Sequence, residues 1–327
     1  MALIVWSLTA CSPKAPTFLA GATMGTTYSV KISDSIEDSE DLQNQIDAQL
    51  QRINDLMSTY IPDSELSKFN QSEIDIPFPL SRENAEVFAM AKKIHEESNG
   101  QFDVTIGPLV NLWGFGPNKT DMLVPSNEEI EAAKSRVGMQ YLQISSEMVN
   151  KTEAVYVDLS AIAKGYGVDA IAQLLNTKGI ENYLVEIGGE LRASGVNDKG
   201  RYWRIAIEKP DVLQRIPYKT LELKNSAMAT SGDYRNYFEI DGNRYSHTIS
   251  PISGRPIIHN VASVTVIDPS TAMADGYATA INVMGVDAGM NMSEKLNLAV
   301  LIIIKTENGF EERYSSQYKA LINTKRD

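Results

Sequence analysis

The sequence predicts an α+β fold with mixed sheets and flanking helices, arranged as one compact unit of two interlocked subdomains. Helical periodicity dominates the chain before residue 141, whereas short β-branched and aromatic runs dominate after it. These elements do not alternate in the regular βαβ order of a doubly wound sheet. No internal repeat, low-complexity segment or clear linker divides the 327 residues. We therefore expect residues 17–327 to fold together.

The chain begins its ordered part with a predicted hairpin and a helix. In residues 17–33, β-branched and aromatic residues are interleaved with small ones, which is typical of a strand or hairpin interrupted at Gly21 and Gly25. A helix follows, and Ser39 is expected to cap it. Its apolar residues repeat with the 3.6-residue period of an amphipathic helix: Leu42, Ile46, Leu50, Ile53 and Met57.

Two further helices are expected before residue 141. One begins after the cap Ser81 and ends at residues 99–100, an Asn-Gly pair that suits a helix C-terminus. Ser126 and Glu129 have the spacing of a capping box for a short third helix. Between them, residues 102–117 are rich in glycine, proline and aromatic residues without a clean period, which is typical of a structured site loop or a surface loop.

The second half of the chain is predicted to be mainly strands. Strands are expected at residues 141–145, 154–159, 183–193, 202–208, 220–223, 261–267, 298–304 and 312–314. Helices are expected at residues 160–178, closed by Gly179, and at residues 270–284. Residues 237–249 are expected to form a hairpin that turns at residues 241–242, an Asp-Gly pair.

The composition of the chain excludes some classes of partner and metal. The chain has 30 lysine and arginine residues against 42 aspartate and glutamate residues, a formal charge of −12. This acidic balance argues against nucleic acid as a partner, since such binding rests mainly on basic side chains that neutralise phosphates. With one cysteine and three histidines, the chain has no disulfide framework and few ligands for zinc. We expect any bound metal to be a hard cation held by oxygen atoms.

The single cysteine, Cys11, follows a short apolar run. Residues 8–11 (LTAC) resemble the bacterial lipobox, in which the cysteine is acylated and becomes the mature amino terminus. The alternative is a buried cysteine in a first strand, but the proline-containing residues 12–16 are typical of an extended tether. We therefore expect residues 1–16 to be a lipoprotein signal and tether.

A candidate anion site lies in residues 158–169 (DLSAIAKGYGVD). Asp158 ends a predicted strand, Ser160 is positioned to cap the next helix, and Lys164 falls in its first turns. The glycines at positions 165 and 167 indicate that something large packs against the backbone. A pyrophosphate and a neighbouring strand fit this observation equally well.

Two more candidates lie further along the chain. Asp275 and Thr279 are four residues apart on a predicted helix and share a face, so they could hold Mg²⁺ together with a backbone carbonyl. Alternatively, Asp275 caps this helix and Thr279 faces the core. His247 could act as a base or contact a phosphate or a ring. Residues 186–190 (EIGGE) lack the Walker and Rossmann spacings and are interpreted as a strand with a bulge or close approach.

Taken in order, these motifs resemble the ApbE family. The segments that carry the resemblance are residues 23–26, 57–60, 63–67, 102–105, 158–169, 185–190, 229–234 and 274–279. The resemblance covers the chain from about residue 18 to its end. It implies a T-fold-related architecture and an FAD:protein FMN transferase, a flavin transferase that uses FAD and Mg²⁺. Such enzymes attach FMN to a threonine or serine of a target protein through a phosphoester bond.

The resemblance also assigns residues. It implies FAD contacts at Met24, Tyr60, Gln101, Phe102, Asp103, Asp158, Lys164 and Ile249. It implies a magnesium shell made of the Ala161 carbonyl, Asp275, the Ala278 carbonyl and Thr279. His247 and Asp275 become the candidate catalytic residues, with His247 as a base or as a phosphate or flavin contact.

Two alternatives remain at the level of sequence. With water as the acceptor, the same site would be an FAD pyrophosphatase that yields FMN and AMP. A non-catalytic flavin-binding lipoprotein would bind FAD without consuming it. The expected acceptors are redox proteins such as subunits of sodium-pumping or electron-transfer membrane complexes. The expected location is the periplasmic face of the bacterial envelope, lipid-anchored, with the inner membrane favoured.

Overall fold

A computed structural model describes residues 15–117, 124–210, 216–232, 237–240 and 243–323 of the chain. The expected lipidation site Cys11 and the expected hairpin turn at residues 241–242 lie outside these ranges. Within these ranges, no helix has both the length and the apolar character needed to cross a membrane.

The described residues form fifteen strands and nine α-helices. The strands are β1 (Thr17–Thr23), β2 (Thr26–Ile32), β3 (Phe78–Pro79), β4 (Leu142–Ile144), β5 (Met148–Lys151), β6 (Tyr183–Ile187), β7 (Glu190–Ser194), β8 (Trp203–Glu208), β9 (Pro217–Leu223), β10 (Ser226–Ser231), β11 (Tyr237–Ile240), β12 (Asn243–Ser246), β13 (Val261–Asp268), β14 (Ala299–Thr306) and β15 (Gly309–Tyr314). The helices are α1 (Ser39–Met57), α2 (Glu65–Gln71), α3 (Arg82–Glu97), α4 (Gly107–Leu112), α5 (Asn127–Lys134), α6 (Ala163–Thr177), α7 (Thr271–Met284), α8 (Val286–Lys295) and α9 (Ser316–Asn323).

An eight-stranded antiparallel sheet organises the fold. Its strand order is β1-β2-β6-β7-β10-β13-β14-β15. Three smaller ladders, β3-β5-β4, β8-β9 and β11-β12, lie outside it. The predicted α+β class with flanking helices is confirmed.

The central strands are buried on both faces. In β14, Val300 and Ile302 belong to the cluster that also holds α3 and α7 residues, whereas Leu301 and Ile303 belong to a cluster with β8 and α9. This alternation follows from the two-residue period of a strand. Further along the sheet, α1 and α6 pack over β1, β2 and β6 in a third cluster. The sheet thus fixes where α6 and α7, which carry the candidate site residues, lie.

The predicted strand at residues 154–159 is wrong. Val155, Val157 and Leu159 are buried alternately, as predicted for a strand, but this segment makes one isolated bridge, between Tyr156 and Ile106. The Asn70 side chain instead forms hydrogen bonds with both the amide and the carbonyl group of Val157. Alternating burial therefore identified an extended segment correctly, but the segment is held by the Asn70 side chain and by two backbone hydrogen bonds to residues 104–107 rather than by a paired strand.

Two predicted helix caps are also wrong. Asp38, not Ser39, caps α1, because its side chain accepts a hydrogen bond from the Asp41 amide. Helix α6 begins three residues after Ser160, and its N-cap position, Ile162, has no side-chain cap. Ser160 instead donates its amide to Asp158 within the preceding turn.

Residues 183–193 form two strands rather than one. Gly188 and Gly189 both have positive φ, 59° and 110°, and close a two-residue turn between β6 and β7. Such turns favour glycine because positive φ is strained for residues with a Cβ atom. The bulge interpretation of residues 186–190 is therefore corrected to a hairpin turn.

Several local predictions are confirmed. Ser81 caps α3, and Ser126 and Glu129 form a reciprocal capping box at the start of α5. The turn between β1 and β2 lies at Met24 and Gly25, both with positive φ. Gly21, by contrast, does not interrupt β1.

Candidate functional site

A cleft of about 790 Å³ lies where several site elements meet. It is lined by the turn between β6 and β7, the end of β10, the start of α6, one face of α7, and residues 101–104 and 106. This volume falls within the range of small-molecule and cofactor sites. We call it the cleft below.

The cleft brings together most of the predicted site residues. Those that line it are Tyr60, Gln101, Phe102, Asp103, Asp158, Ala161, Lys164, His247, Ile249, Asp275 and Thr279. Two predicted residues are not among its lining. Met24 is half-buried in the β1–β2 turn, where its methyl group lies near Gly167. Ala278 is completely buried in α7.

At the centre of the cleft, Lys164 lies between two carboxylates. Its Nζ atom is 3.1 Å from Glu190 Oε1 and 3.7 Å from Asp275 Oδ2. Asp275 Oδ2 also accepts a hydrogen bond of 3.1 Å from the Gly165 amide. The start of α6 and the middle of α7 are thus joined through one carboxylate.

In this cluster, burial and the neighbouring opposite charges shift the pKa of each group in opposite directions. Burial disfavours the ammonium form of Lys164, but the carboxylates of Asp275 and Glu190 outweigh it and raise the Lys164 pKa above its ordinary value. Burial raises the pKa of Glu190 and of Asp275, and the nearby Lys164 charge partly offsets this. Lys164 therefore stays charged at neutral pH and can bind an anion.

The two glycines of α6 are explained by close packing. A Cβ atom at Gly165 would lie 2.4 Å from the Thr271 carbonyl oxygen at the start of α7. A Cβ atom at Gly167 would lie 3.1 Å from side-chain carbons of Ile187 and Met24. The neighbour of Gly165 is thus a helix backbone, so close packing accounts for this glycine, whereas Gly167 meets only the ends of flexible side chains.

Asp169 reinforces the same helix contact. Its carboxylate accepts hydrogen bonds from the Thr271 amide and hydroxyl at 3.0 and 2.7 Å, and from the Ala272 amide at 3.1 Å. The Ser270 hydroxyl and Arg192 also bond to it, at 2.8 and 3.0 Å. A residue of α6 therefore satisfies the free amides at the N-terminus of α7.

Hydrogen bonds within the chain shape the wall formed by Phe102, Asp103 and Asp158. The Asp158 amide donates to the Val104 carbonyl at 2.7 Å. Asp103 accepts from the amide and hydroxyl of Thr105 at 2.8 and 2.5 Å. The Asp103 carboxylate thus organises its own loop, a role that the sequence did not indicate.

Aromatic residues form part of the cleft near His247. The His247 ring lies edge-on to Phe115, with 6.3 Å between centroids. The Tyr60 hydroxyl group lies 3.4 Å from the Phe115 carbonyl oxygen, and 65% of Tyr60 is exposed. An exposed aromatic ring beside a cleft is suited to packing against a planar ligand.

The sequence did not identify three residues that shape the cleft. Asn70 and Asp169 hold its walls, and Glu190 belongs to its central cluster. A possible signal for Glu190 was an acidic residue directly after a Gly-Gly pair within an apolar strand. Its pairing with Lys164, however, depends on the hairpin turn.

The donor atoms at the cleft fit a hard cation. Asp275 and Thr279 offer a carboxylate and a hydroxyl group from one face of α7, and the Ala161 carbonyl belongs to the turn before α6. In the described residues, no group of three or more acidic, histidine or cysteine side chains could form a metal cage. A site built from one carboxylate, a hydroxyl group and carbonyls suits Mg²⁺, which keeps several waters or substrate oxygens.

The fold and the cleft together define an α+β protein with a site suited to a cation and an anionic ligand. The ApbE family model matches residues 24–302, and the chain belongs to this family. The chain is 49% identical to the FAD:protein FMN transferase of Vibrio cholerae over 95% of this chain and 94% of that protein. It is 44% identical to the FAD:protein FMN transferase of Haemophilus influenzae over 98% of this chain and 95% of that protein.

A solved structure gives the same result. The flavin transferase ApbE from Vibrio cholerae superposes with a TM-score of 0.87 at 48% sequence identity. The match covers 94% of this chain and 99% of that one. The resemblance inferred from the motifs, including the family and its fold, is confirmed.

Proposed function

We propose that this chain transfers FMN from FAD to a serine or threonine hydroxyl group of an acceptor protein and releases AMP. The observation that carries the proposal is the position of Lys164 next to Asp275 in the cleft of a family whose similar members are named FAD:protein FMN transferase. In this reaction, the acceptor oxygen forms a bond to the FMN phosphorus. The bond between that phosphorus and the oxygen bridging to AMP breaks, and the hydroxyl proton passes to a base.

Phosphoryl transfer requires mainly positioning and charge neutralisation from a protein. Lys164 meets the second requirement, because two carboxylates keep it protonated and nearly a third of its side chain is exposed. Its ammonium group would bind an oxygen of the FAD pyrophosphate. Tyr60, Phe102 and Ile249 would contact FAD elsewhere in the cleft, together with Gln101, Asp103 and Asp158. Met24, which does not line the cleft, is the proposed FAD contact with least support.

Asp275, Thr279 and the carbonyls of Ala161 and Ala278 are proposed to hold Mg²⁺. When bound, Mg²⁺ would neutralise pyrophosphate charge and stabilise the departing AMP. Ala161 belongs to the turn before α6 and lines the same cleft as Asp275 and Thr279. The Gly165 amide, in the first turn of α6, donates to Asp275 and so holds this carboxylate near that turn. The complete burial of Ala278 makes its carbonyl the member with least support.

His247 is the proposed proton acceptor. It lines the same cleft as Lys164 and Asp275, and its ring lies edge-on to Phe115. Positioned general bases contribute about 10²- to 10⁴-fold to rate. A contact between His247 and a phosphate or the flavin is the alternative role, and Asp275 is the other candidate proton acceptor.

We further propose that Cys11 is lipidated and holds the enzyme at the periplasmic face of a bacterial membrane, the inner one being favoured. The support is the LTAC sequence of residues 8–11 and the proline-containing tether after it. Redox subunits of sodium-pumping or electron-transfer membrane complexes would then be within reach as acceptors. Expression of the wild type and of Cys11→Ser with labelled palmitate tests this, and equal labelling of both would contradict it.

Product analysis tests the proposed reaction. The protein is incubated with FAD and Mg²⁺, with and without a candidate acceptor, and the nucleotides are separated chromatographically. We expect AMP to appear together with covalent flavin on the acceptor. Rapid release of free FMN and AMP without acceptor would instead identify a pyrophosphatase, and bound but unconsumed FAD would identify a flavin-binding protein.

A further inference from the structure

Glu190 is a buried carboxylate whose second oxygen has no hydrogen-bond partner among the residues that the structure describes. It is the first residue of β7, directly after the Gly188–Gly189 turn, and 3% of it is exposed. Oε1 lies 3.1 Å from Lys164 Nζ. Within the described part of the chain, Oε2 makes no hydrogen bond. The residue lines the cleft, so this oxygen belongs to the wall of the site.

Burying such a carboxylate lowers the free energy of unfolding. A buried charge needs pairing on all its polar atoms to offset the loss of solvation. A glutamine here would keep the shape and the acceptor of Lys164 without the charge. The charge of Glu190 is therefore explained better by what it does to ligands of the cleft than by stability.

When both of its carboxyl groups are ionised, the central cluster carries a net negative charge; burial raises the pKa of Glu190 to about 7, so this is the main state above neutral pH. Lys164 contributes one positive charge, and ionised Glu190 and Asp275 contribute two negative ones. The other described carboxylates that line the cleft include Asp103, Asp158 and Glu186. Among the described lining residues, Lys164 is the only lysine or arginine. This field attracts a divalent cation and repels a pyrophosphate.

We propose that Glu190 couples the two ligands of the cleft, strengthening divalent-cation binding at Asp275 and weakening FAD binding until the cation is present. This inference rests on the proposed function. Glu190 also keeps a counter-ion beside Lys164 when Asp275 turns to the cation, so the ammonium group stays at the site. FAD is thereby bound tightly only when the cation is also bound, and this is the complex that can react.

The substitution Glu190→Gln tests the coupling because it predicts two changes of opposite sign. Mn²⁺, a hard cation with similar ligand preference, is titrated into the FAD-free protein by electron paramagnetic resonance at mildly alkaline pH. We expect its dissociation constant to rise about tenfold. FAD is titrated by flavin fluorescence in the presence of a chelator, and we expect its dissociation constant to fall about threefold or more.

Glu186→Gln is the matched control. Glu186 lines the same cleft on the other side of the turn, but it bonds to the Gly189 amide at 2.8 Å rather than to Lys164. We expect it to change both constants less than Glu190→Gln does. Damage to the fold would weaken the binding of both ligands. The proposal is therefore overturned if Glu190→Gln weakens the binding of both, or if it changes neither dissociation constant.

The Mn²⁺ and FAD titrations distinguish a failure of this proposal from a failure of the proposed function. If the wild type does not bind FAD even with Mg²⁺, the proposed function fails. The Mn²⁺ titration then still decides whether Glu190 contributes to the cation site, and an unchanged Mn²⁺ constant would refute that contribution.

Discussion

The carboxamide of Asn70 pairs with both backbone groups of Val157. Its Nδ2 atom donates to the Val157 carbonyl at 2.9 Å, and its Oδ1 atom accepts from the Val157 amide at 2.7 Å. At Val157, one side chain thus takes the place of a neighbouring strand. Val157 directly precedes Asp158, which lines the cleft. Because Asn70 belongs to α2, this pair connects α2 to the wall of the cleft.

Asn70→Asp should weaken both the fold and FAD binding. The carboxylate can still accept from the Val157 amide, but it repels the Val157 carbonyl, which is left without its donor. We expect a loss of about 1–3 kcal/mol in the free energy of unfolding, and a rise of several-fold in the FAD dissociation constant. Urea unfolding and a fluorescence titration measure these quantities. Asn308→Asp, the same change in an exposed turn, should alter neither, and equal effects of both variants would contradict the role of Asn70.

Asp169→Ala should destabilise the contact between α6 and α7. It removes an acceptor from the Ser270 hydroxyl, the Thr271 amide and hydroxyl, and the Ala272 amide. We expect a loss of about 2–4 kcal/mol, since loss of a cap alone costs up to about 2 kcal/mol and further polar groups lose partners. Urea unfolding measures it. A loss below about 0.5 kcal/mol, as for an ordinary surface substitution, would show that water replaces the carboxylate.

Gly165→Ala and Gly167→Ala form a matched pair within α6. At position 165 the new methyl group would meet the rigid Thr271 backbone, so the helices must separate, at a cost of about 1–3 kcal/mol. At position 167 it would meet the ends of two flexible side chains, and alanine favours the helix by up to about 1 kcal/mol. Thermal unfolding should therefore show a clearly larger loss for Gly165→Ala. The reverse order would contradict the close approach of α6 and α7.

Asp275→Ala should abolish cation binding and leave the fold intact. The substitution removes the one carboxylate of the proposed magnesium shell, and the Gly165 amide and Lys164 lose a partner. Mn²⁺ titration should show no saturable site, while circular dichroism should match the wild type. Retained, magnesium-dependent FMN transfer by this variant would refute the metal assignment.

The sequence predicted the elements whose signal is local. The apolar residues repeat over about four turns in α1 and about two and a half turns in α3. The caps Ser81 and Ser126 act within three residues. Helix α2 was missed because its seven residues hold only two buried apolar side chains, Leu66 and Phe69. Seven residues are too few for a period to be recognised.

The parts of the cleft that escaped prediction depend on contacts between distant segments. Asn70 lies 87 residues from Val157, and Asp169 lies 102 residues from Thr271. Glu190 meets Lys164 only because the hairpin turn at Gly188 and Gly189 reverses the chain. In contrast, Asp275 and Thr279 were predictable because the helical period alone places them on one face.

The central claim is that the cleft transfers FMN to a protein hydroxyl group. The most direct measurement is the intact mass of an acceptor redox subunit after incubation with this protein, FAD and Mg²⁺. The account predicts that the acceptor gains the mass of FMN less one water, in amounts that match the AMP released, and that a chelator prevents the gain. An unchanged acceptor mass while FAD is converted into free FMN and AMP would contradict it.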